Sequence, residues 1–197
     1  MRLGAQCSAD VQKQAAGALW DLAYYNIDDN RVKIAAAGAI PPLVALLGSQ
    51  NTAGVQEKAA GALRSLAYNS DTNLVKIAEA GAIPPLVALL GSQNSDDVQA
   101  NAAGALWNLA VNSDNQVKIA AAGAIPLLVA LLGPSNSANV QKLASKALWN
   151  LAFNNAANRA LIRTAGGVAA LTQLIQSTTD PDVRSAAQGA LNSIWYY

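Results

Sequence analysis

Side chains able to do covalent or metal chemistry are scarce in this chain. Its 197 residues include no histidine and a single cysteine, Cys7. That excludes a Ser-His-Asp triad, a Cys-His pair and any zinc site that uses histidine. A lone cysteine forms no internal disulfide, which fits a reducing compartment, cytoplasmic or nuclear. No carboxylate pair recurs beside a base or a metal partner; Asp96-Asp97 reads as an N-cap and dipole partner for a helix. The glycine turns at Gly38, Gly81, Gly123 and Gly166 lack the spacing, following Lys and strand context of a phosphate-binding loop. No enzyme, no cofactor and no metal is expected.

The remaining chemistry is non-covalent. It is carried by Trp20, Trp107 and Trp149, with Arg64 and Asn192 at the same place in the pattern. These residues belong to one recurring segment, Ala102-Ala103-Gly104-Ala105-Leu106-Trp107-Asn108-Leu109-Ala110, which returns lightly edited at 15–23, 59–67, 144–152 and 187–195. Its register is marked by Val11, Val55, Val98, Val140 and Val183, in steps of 44, 43, 42 and 43 residues. All-helical repeats of about 40–47 residues build α-solenoids, whose core is a continuous strip. Hydrophobic residues make up 52% of the chain, enough for such a core. Net charge is +1 and no run of Lys or Arg exists, so neither nucleic acid nor a membrane surface is an expected partner. The longest apolar run, 119–133, falls short of about 20 residues and contains Gly123 and Pro126, so it predicts two short buried helices, not a membrane span.

In chain order, residues 11–25 predict a long helix ending near Asn26, since Asn tolerates the left-handed conformation. Asn69, Asn112 and Asn154 stand at equivalent places. A full unit follows: a short helix over 31–37, a stop at Gly38, a second helix opened by Pro41-Pro42 and capped by Gly48, a polar loop, and a third helix from Val55. The predicted divisions are 1–26 (third helix only), 27–69, 70–112, 113–154 and 155–197. In the last unit Arg159, Arg163, Thr172, Gln173, Gln176 and Arg184 supply the polar outer face of a capping repeat. The first helix lacks the two helices that would cover it. That predicts either a longer array or self-association through this end.

A short helix, a Gly bend, a Pro-opened second helix and a third helix ending in Leu-(Trp/Arg)-Asn-Leu-Ala resembles the armadillo repeat, as does the wording Gly-Ala-Ile-Pro-Pro-Leu-Val-Ala-Leu-Leu. The likeness covers essentially the whole chain and is nearest to the catenin-like, plant and protist branches. The units are alike enough for recent duplication or consensus engineering. The resemblance implies an all-α, right-handed solenoid of three-helix repeats. It also implies a concave groove, lined by the third helices, that takes an extended or disordered peptide segment of a partner. In that family a column of Asn side chains grips the peptide backbone, because an amide both donates and accepts. The matching positions here are Asp21, Ser65, Asn108, Asn150 and Ser193, which places the strongest grip around Trp107, Asn108, Trp149 and Asn150. The importin branch adds a Trp one turn earlier. Here those positions are Gly17, Gly61, Gly104, Lys146 and Gly189, which argues against a receptor for basic nuclear-localisation signals.

Glycine inside a helix costs about 0.5–1 kcal/mol relative to Ala, so Gly104 needs a reason. It either lets a ligand side chain approach the groove backbone or makes room for a neighbouring Trp. The residues Trp20, Arg64, Trp107 and Trp149 sit on the shoulder between core and groove, packing helix on helix, lining the groove, or both. Lys58, Arg64, Lys142 and Lys146 outweigh Asp21 and Glu57, which favours a neutral or mildly acidic segment.

Overall fold

The computed structural model describes residues 8–25, 29–91 and 93–196. Among them it holds thirteen helices and no strand. A long helix α1 (Ala9–Tyr25) is followed by four triplets. These are α2 (Asp29–Ala36), α3 (Ile40–Ala45) and α4 (Ala53–Ala67); α5 (Asp71–Glu79), α6 (Ile83–Ala88) and α7 (Asp96–Leu109); α8 (Ser113–Ala121), α9 (Ala124–Ala130) and α10 (Ala138–Ala152); α11 (Ala156–Thr164), α12 (Gly167–Ser177) and α13 (Pro181–Tyr196). The long helices form a row: α1 packs on α4, α4 on α7, α7 on α10 and α10 on α13. This is an all-α solenoid, and its core runs as a strip from Ala16 to Ile194. Fully buried alanines such as Ala59, Ala60, Ala102, Ala103 and Ala144 let the row pack closely.

Local sequence explains the bends. Gly38, Gly81, Gly123 and Gly166 have φ of 77–80°, and a Cβ at any of them would meet nothing within 4 Å. Glycine is required there by backbone conformation alone. Pro41 and Pro84 sit in the first turn of α3 and α6, where a missing N–H is harmless. Each of these helices ends on a tightened turn rather than on a left-handed glycine: Gly48 N–H donates to Ala45 O at 3.4 Å.

Two expectations change at loop level. Asn69 and Asn154 take the left-handed conformation (φ 52°), but Asn112 does not. The chain from the column residue to the buried Asn of the next helix is one residue shorter here (Asn108 to Asn115, against Ser65 to Asn73 and Asn150 to Asn158), so Asn112 becomes the N-cap of α8, with φ −85° and its side chain accepting from Asn115 N–H at 3.0 Å. The N-cap of α7 is Ser95; Asp96 and Asp97 lie inside the first turn, where only their dipole role applies. The expected stop at Asn26 and the single thiol of Cys7 lie outside the described residues.

Buried amides tie the units together. Gln56, Gln99 and Gln141 each donate Nε2–H to carbonyls just past the preceding short helix, as Gln99 does to Leu90 O (3.3 Å) and Gly91 O (2.9 Å). Asn73 and Asn158 donate to the end of the long helix before them, Leu66 O and Leu151 O, both at 2.9 Å. Helix C-termini leave carbonyls without intrahelical partners, and these amides satisfy them.

The spacing along the row depends on a stacked pair at each level. A Cβ added to Gly61 would lie 2.6 Å from the Trp20 ring, one at Gly189 2.3 Å from the Trp149 ring, and one at Gly104 2.6 Å from Arg64 Nε. The shoulder side chain of one long helix therefore lies on the backbone of the next. At the remaining level Lys146 replaces glycine and turns its Nζ over the Trp107 ring, 4.4 Å from the centroid. Over Gly104 the neighbouring side chain is Arg64 rather than a Trp.

Gly61→Ala and Gly189→Ala should each destabilise the protein by about 1–3 kcal/mol in denaturant unfolding, because the ring must leave its place. Gly17→Ala should instead stabilise by about 0.5–1 kcal/mol, since its nearest contact is Lys58 Cδ at 3.8 Å. Ser145 Oγ is buried without a hydrogen-bond partner among the described residues. Ser145→Ala should raise stability by about 1 kcal/mol, read by the same unfolding curves.

Candidate functional site

The polar column falls on one face of the row of long helices, but half of its hydrogen-bonding capacity is already used. Asn108 Nδ2 donates to Arg64 O at 2.8 Å, Asn150 Nδ2 to Trp107 O at 3.0 Å, and Ser193 Oγ to Trp149 O at 3.2 Å. Each bond crosses from one long helix to the one before it. Asn108 is only 6% exposed and Ser193 fully buried, whereas Asp21 is exposed. The amide donors thus lock neighbouring units. Each of these amides has spent one of its two N–H groups; Asn108 and Asn150 retain Oδ1 and the second N–H.

In front of α1, α4 and α7 the face deepens into a cavity of about 650 Å³. Trp20, Arg64 and Trp107 from the shoulder line it, with Asp21, Ser65 and Asn108 from the column. Trp149, Asn150 and Ser193 lie further along the same row, outside the cavity, and Gly104 is buried beneath Arg64. The cavity therefore lies one unit earlier than the pair Trp107–Trp149 implied. Trp149 is 39% exposed.

Further lining residues come from beyond the shoulder and the column. Tyr24 and Tyr68, which follow Trp20 and Arg64 by one helical turn in the sequence, line the cavity with Tyr25, and Tyr24 and Tyr25 meet edge to face at 5.0 Å. Arg31 closes the end of the cavity. Its Nε donates to Ala23 O (3.2 Å), its Nη1 to Tyr68 O (2.9 Å), and its guanidinium lies over the Tyr68 ring at 5.1 Å. It takes the place held by Leu74 and Gln116 in the next units, a substitution visible in the sequence only after the helices are aligned.

The electrostatics are uneven. Lys58 pairs with Glu57 at 2.9 Å and lies over the Trp20 ring; Lys142 pairs with Asp182 at 3.5 Å. Burial pushes the Arg64 guanidinium below its ordinary pKa, with Tyr24 opposing. Burial also lowers Lys146, reinforced by Lys142 and Arg64 and opposed by Asp182. Arg64 and Lys146 are thus held near each other and part-way out of water. Among the described residues no group of three His, Cys, Asp or Glu could hold a metal ion, and no helix is long and apolar enough to cross a membrane. A preformed concave face with aromatic walls and fixed polar groups can bind.

The comparisons agree with this geometry. The chain is 34% identical to an engineered protein, with 98% of this chain and 78% of that one aligned at a TM-score of 0.89. It is 34% identical to a designed armadillo repeat protein in complex with the peptide (KR)4, covering 96% of this chain and 77% of that one, TM-score 0.85. A computationally designed armadillo repeat protein for modular peptide recognition matches at 34% identity, over 96% and 78% of the two chains, with a TM-score of 0.86. No curated protein matches the sequence. The likeness to engineered proteins accords with the near-identity of the units. The family model for the Armadillo/beta-catenin-like repeat matches residues 28–68, 70–111, 112–153 and 155–194, and with four successive units accounted for in this way the chain belongs to the armadillo repeat family.

Proposed function

We propose that this protein is a non-catalytic binding module. It holds an extended peptide segment of a partner along the concave face made by α1, α4, α7, α10 and α13. The observation that carries this reading is the cavity of about 650 Å³ bounded by Trp20, Arg64, Trp107 and Asn108, open on a face built of rigid helices. Preformed sites lose little entropy on binding. The similar designed proteins, one in complex with (KR)4 and one made for modular peptide recognition, support the same use of the fold.

The column contributes acceptors. With one N–H of each committed to Arg64 O and Trp107 O, Asn108 and Asn150 offer Oδ1 to peptide N–H groups, and exposed Asp21 adds a carboxylate. Ser193 is fully buried and contributes less; Ser65, as accessible as Asn108, has only a short hydroxyl to offer. Trp149 extends the face toward the last unit and gives side chains of the segment an apolar platform.

A second reading, assembly, rests on α1. Val11 is 53% and Leu22 52% exposed, while the equivalents of Val11 in later units, Val55, Val98, Val140 and Val183, are at most 1% exposed. This apolar face suits a preceding helical unit or a second copy of the chain.

Alanine at Asn108 and Asn150 would remove the inter-helix bonds as well as the acceptors, costing about 1–2 kcal/mol of stability. The gentler test is Asn108→Ser with Asn150→Ser, which draws the acceptor back toward the helix, and Ser193 shows that a hydroxyl can make the bond to the helix before it. Peptides selected on the wild type by display should bind this variant about tenfold or more weakly, by fluorescence anisotropy, with an unchanged melting temperature. Equal binding would remove the column from the site. For the assembly reading, light scattering after gel filtration should show dimers growing with concentration; a monomer throughout would discard it.

A further inference from the structure

We infer that the cavity between Trp20 and Trp107 contains an anion subsite, in which Arg64 receives the side-chain carboxylate of an Asp or Glu in the bound segment. The inference rests on the binding-module reading and specifies what that module selects.

Arg64 is the one shoulder position, among Trp20, Arg64, Trp107 and Trp149, where a charge replaces an indole. Its side chain lies over Gly104, close enough that a Cβ there would meet Nε at 2.6 Å and Cζ at 2.9 Å. The guanidinium is half-buried, lines the cavity, and makes no hydrogen bond or ion pair with any described residue. Charges withdrawn from water are ordinarily paired, because an unpaired one keeps its desolvation cost. Among the described residues no such partner is present. A nearby cation adds to the imbalance: Lys146 lies over the Trp107 ring without an ion pair among the described residues. Among the described residues the only acid lining the cavity is Asp21, which is exposed and forms no ion pair with Arg64.

The shape of the donor set points to a carboxylate. A guanidinium presents a planar fork that meets a carboxylate with two parallel hydrogen bonds. One available guanidinium, rather than a cluster of arginines, suits a singly charged group better than a phosphate. Trp20, Tyr24 and Trp107 form walls for the methylene part of the same side chain. A Lys or Arg at this point would face Arg64 across a poorly solvated space, so the subsite also selects against basic segments. That separates this groove from the designed relative in complex with (KR)4.

The test is a parallel selection of random octapeptides, displayed within a fixed protein loop so that no free terminus is offered, on the wild type and on Arg64→Trp. Trp is the residue other levels carry above glycine, at Trp20 over Gly61 and Trp149 over Gly189, so this variant keeps the stack. Wild-type pools should be enriched in Asp or Glu at one aligned position, and Arg64→Trp pools should lose that enrichment while retaining the rest of the motif. For a selected peptide made with blocked ends, Glu→Gln should weaken binding about tenfold or more on the wild type and not on Arg64→Trp. Asp21→Asn should tighten the Glu peptide. Pools with the same preferences on both proteins, or without an aligned acid, overturn the subsite and leave groove binding standing. Tighter binding when Glu is replaced by phosphoserine reassigns the anion to a phosphate and overturns the carboxylate claim. Absence of any enriched peptide on either folded protein overturns both readings.

Discussion

The structure depends on one contact repeated from level to level: a large side chain on one long helix lying against the backbone of the next. Trp20 over Gly61, Arg64 over Gly104 and Trp149 over Gly189 set the distance between neighbouring units. The helical cost of each glycine is small, about 0.5–1 kcal/mol, and the ring or guanidinium it admits covers far more surface than a methyl group would. Where the chain departs from the rule, at Lys146, the aliphatic stem still packs and the ammonium closes over the Trp107 ring. The same side chains are the walls of the groove. Packing and binding are therefore two faces of one column, and a residue change there acts on both.

The polar column shows the same economy. An amide on a third helix has two ends. In Asn108 and Asn150 one N–H crosses to the preceding helix, and Oδ1 makes no hydrogen bond among the described residues. A solenoid that fixes its repeats with donors keeps acceptors on its inner face, a pattern suited to the N–H groups of an extended backbone. The face is rigid, since each amide is anchored in the framework before any ligand arrives. Specificity then falls to the shoulder residues, of which Arg64 differs most in chemistry from its neighbours.

Much of this was legible in the sequence because repeats compare a chain with itself. The glycine bends, the proline-opened helices and the row of long helices follow from periodicity and breakers, and the polar column follows from the family resemblance. The unread parts share a cause: they depend on what one unit does to the next. The second role of Asn108 as an inter-helix donor, the burial of Gly104 and the cavity end made by Arg31, Tyr24 and Tyr68 involve residues some forty positions apart. The conversion of Asn112 from a left-handed link to an N-cap turned on one residue fewer between Asn108 and Asn115. Within a unit, the Gln that follows each marker valine recurs visibly at Gln56, Gln99 and Gln141, yet its partners, carbonyls just past the previous short helix, are set by how the two helices pack.

The four indoles make the central claim measurable. Trp20, Trp107 and Trp149 stand on the concave shoulder, whereas Trp195 occupies the register of buried Ala152, on another side of its helix, with Arg163 above it at 5.9 Å. Their Nε1–H signals, assigned by single Trp→Phe changes, can be followed by heteronuclear NMR as a selected peptide is added. The account predicts that Trp20 and Trp107 move most, Trp149 less, and Trp195 stays in place. A peptide that binds while the three shoulder signals remain still would contradict the account and place the recognition surface elsewhere on the solenoid.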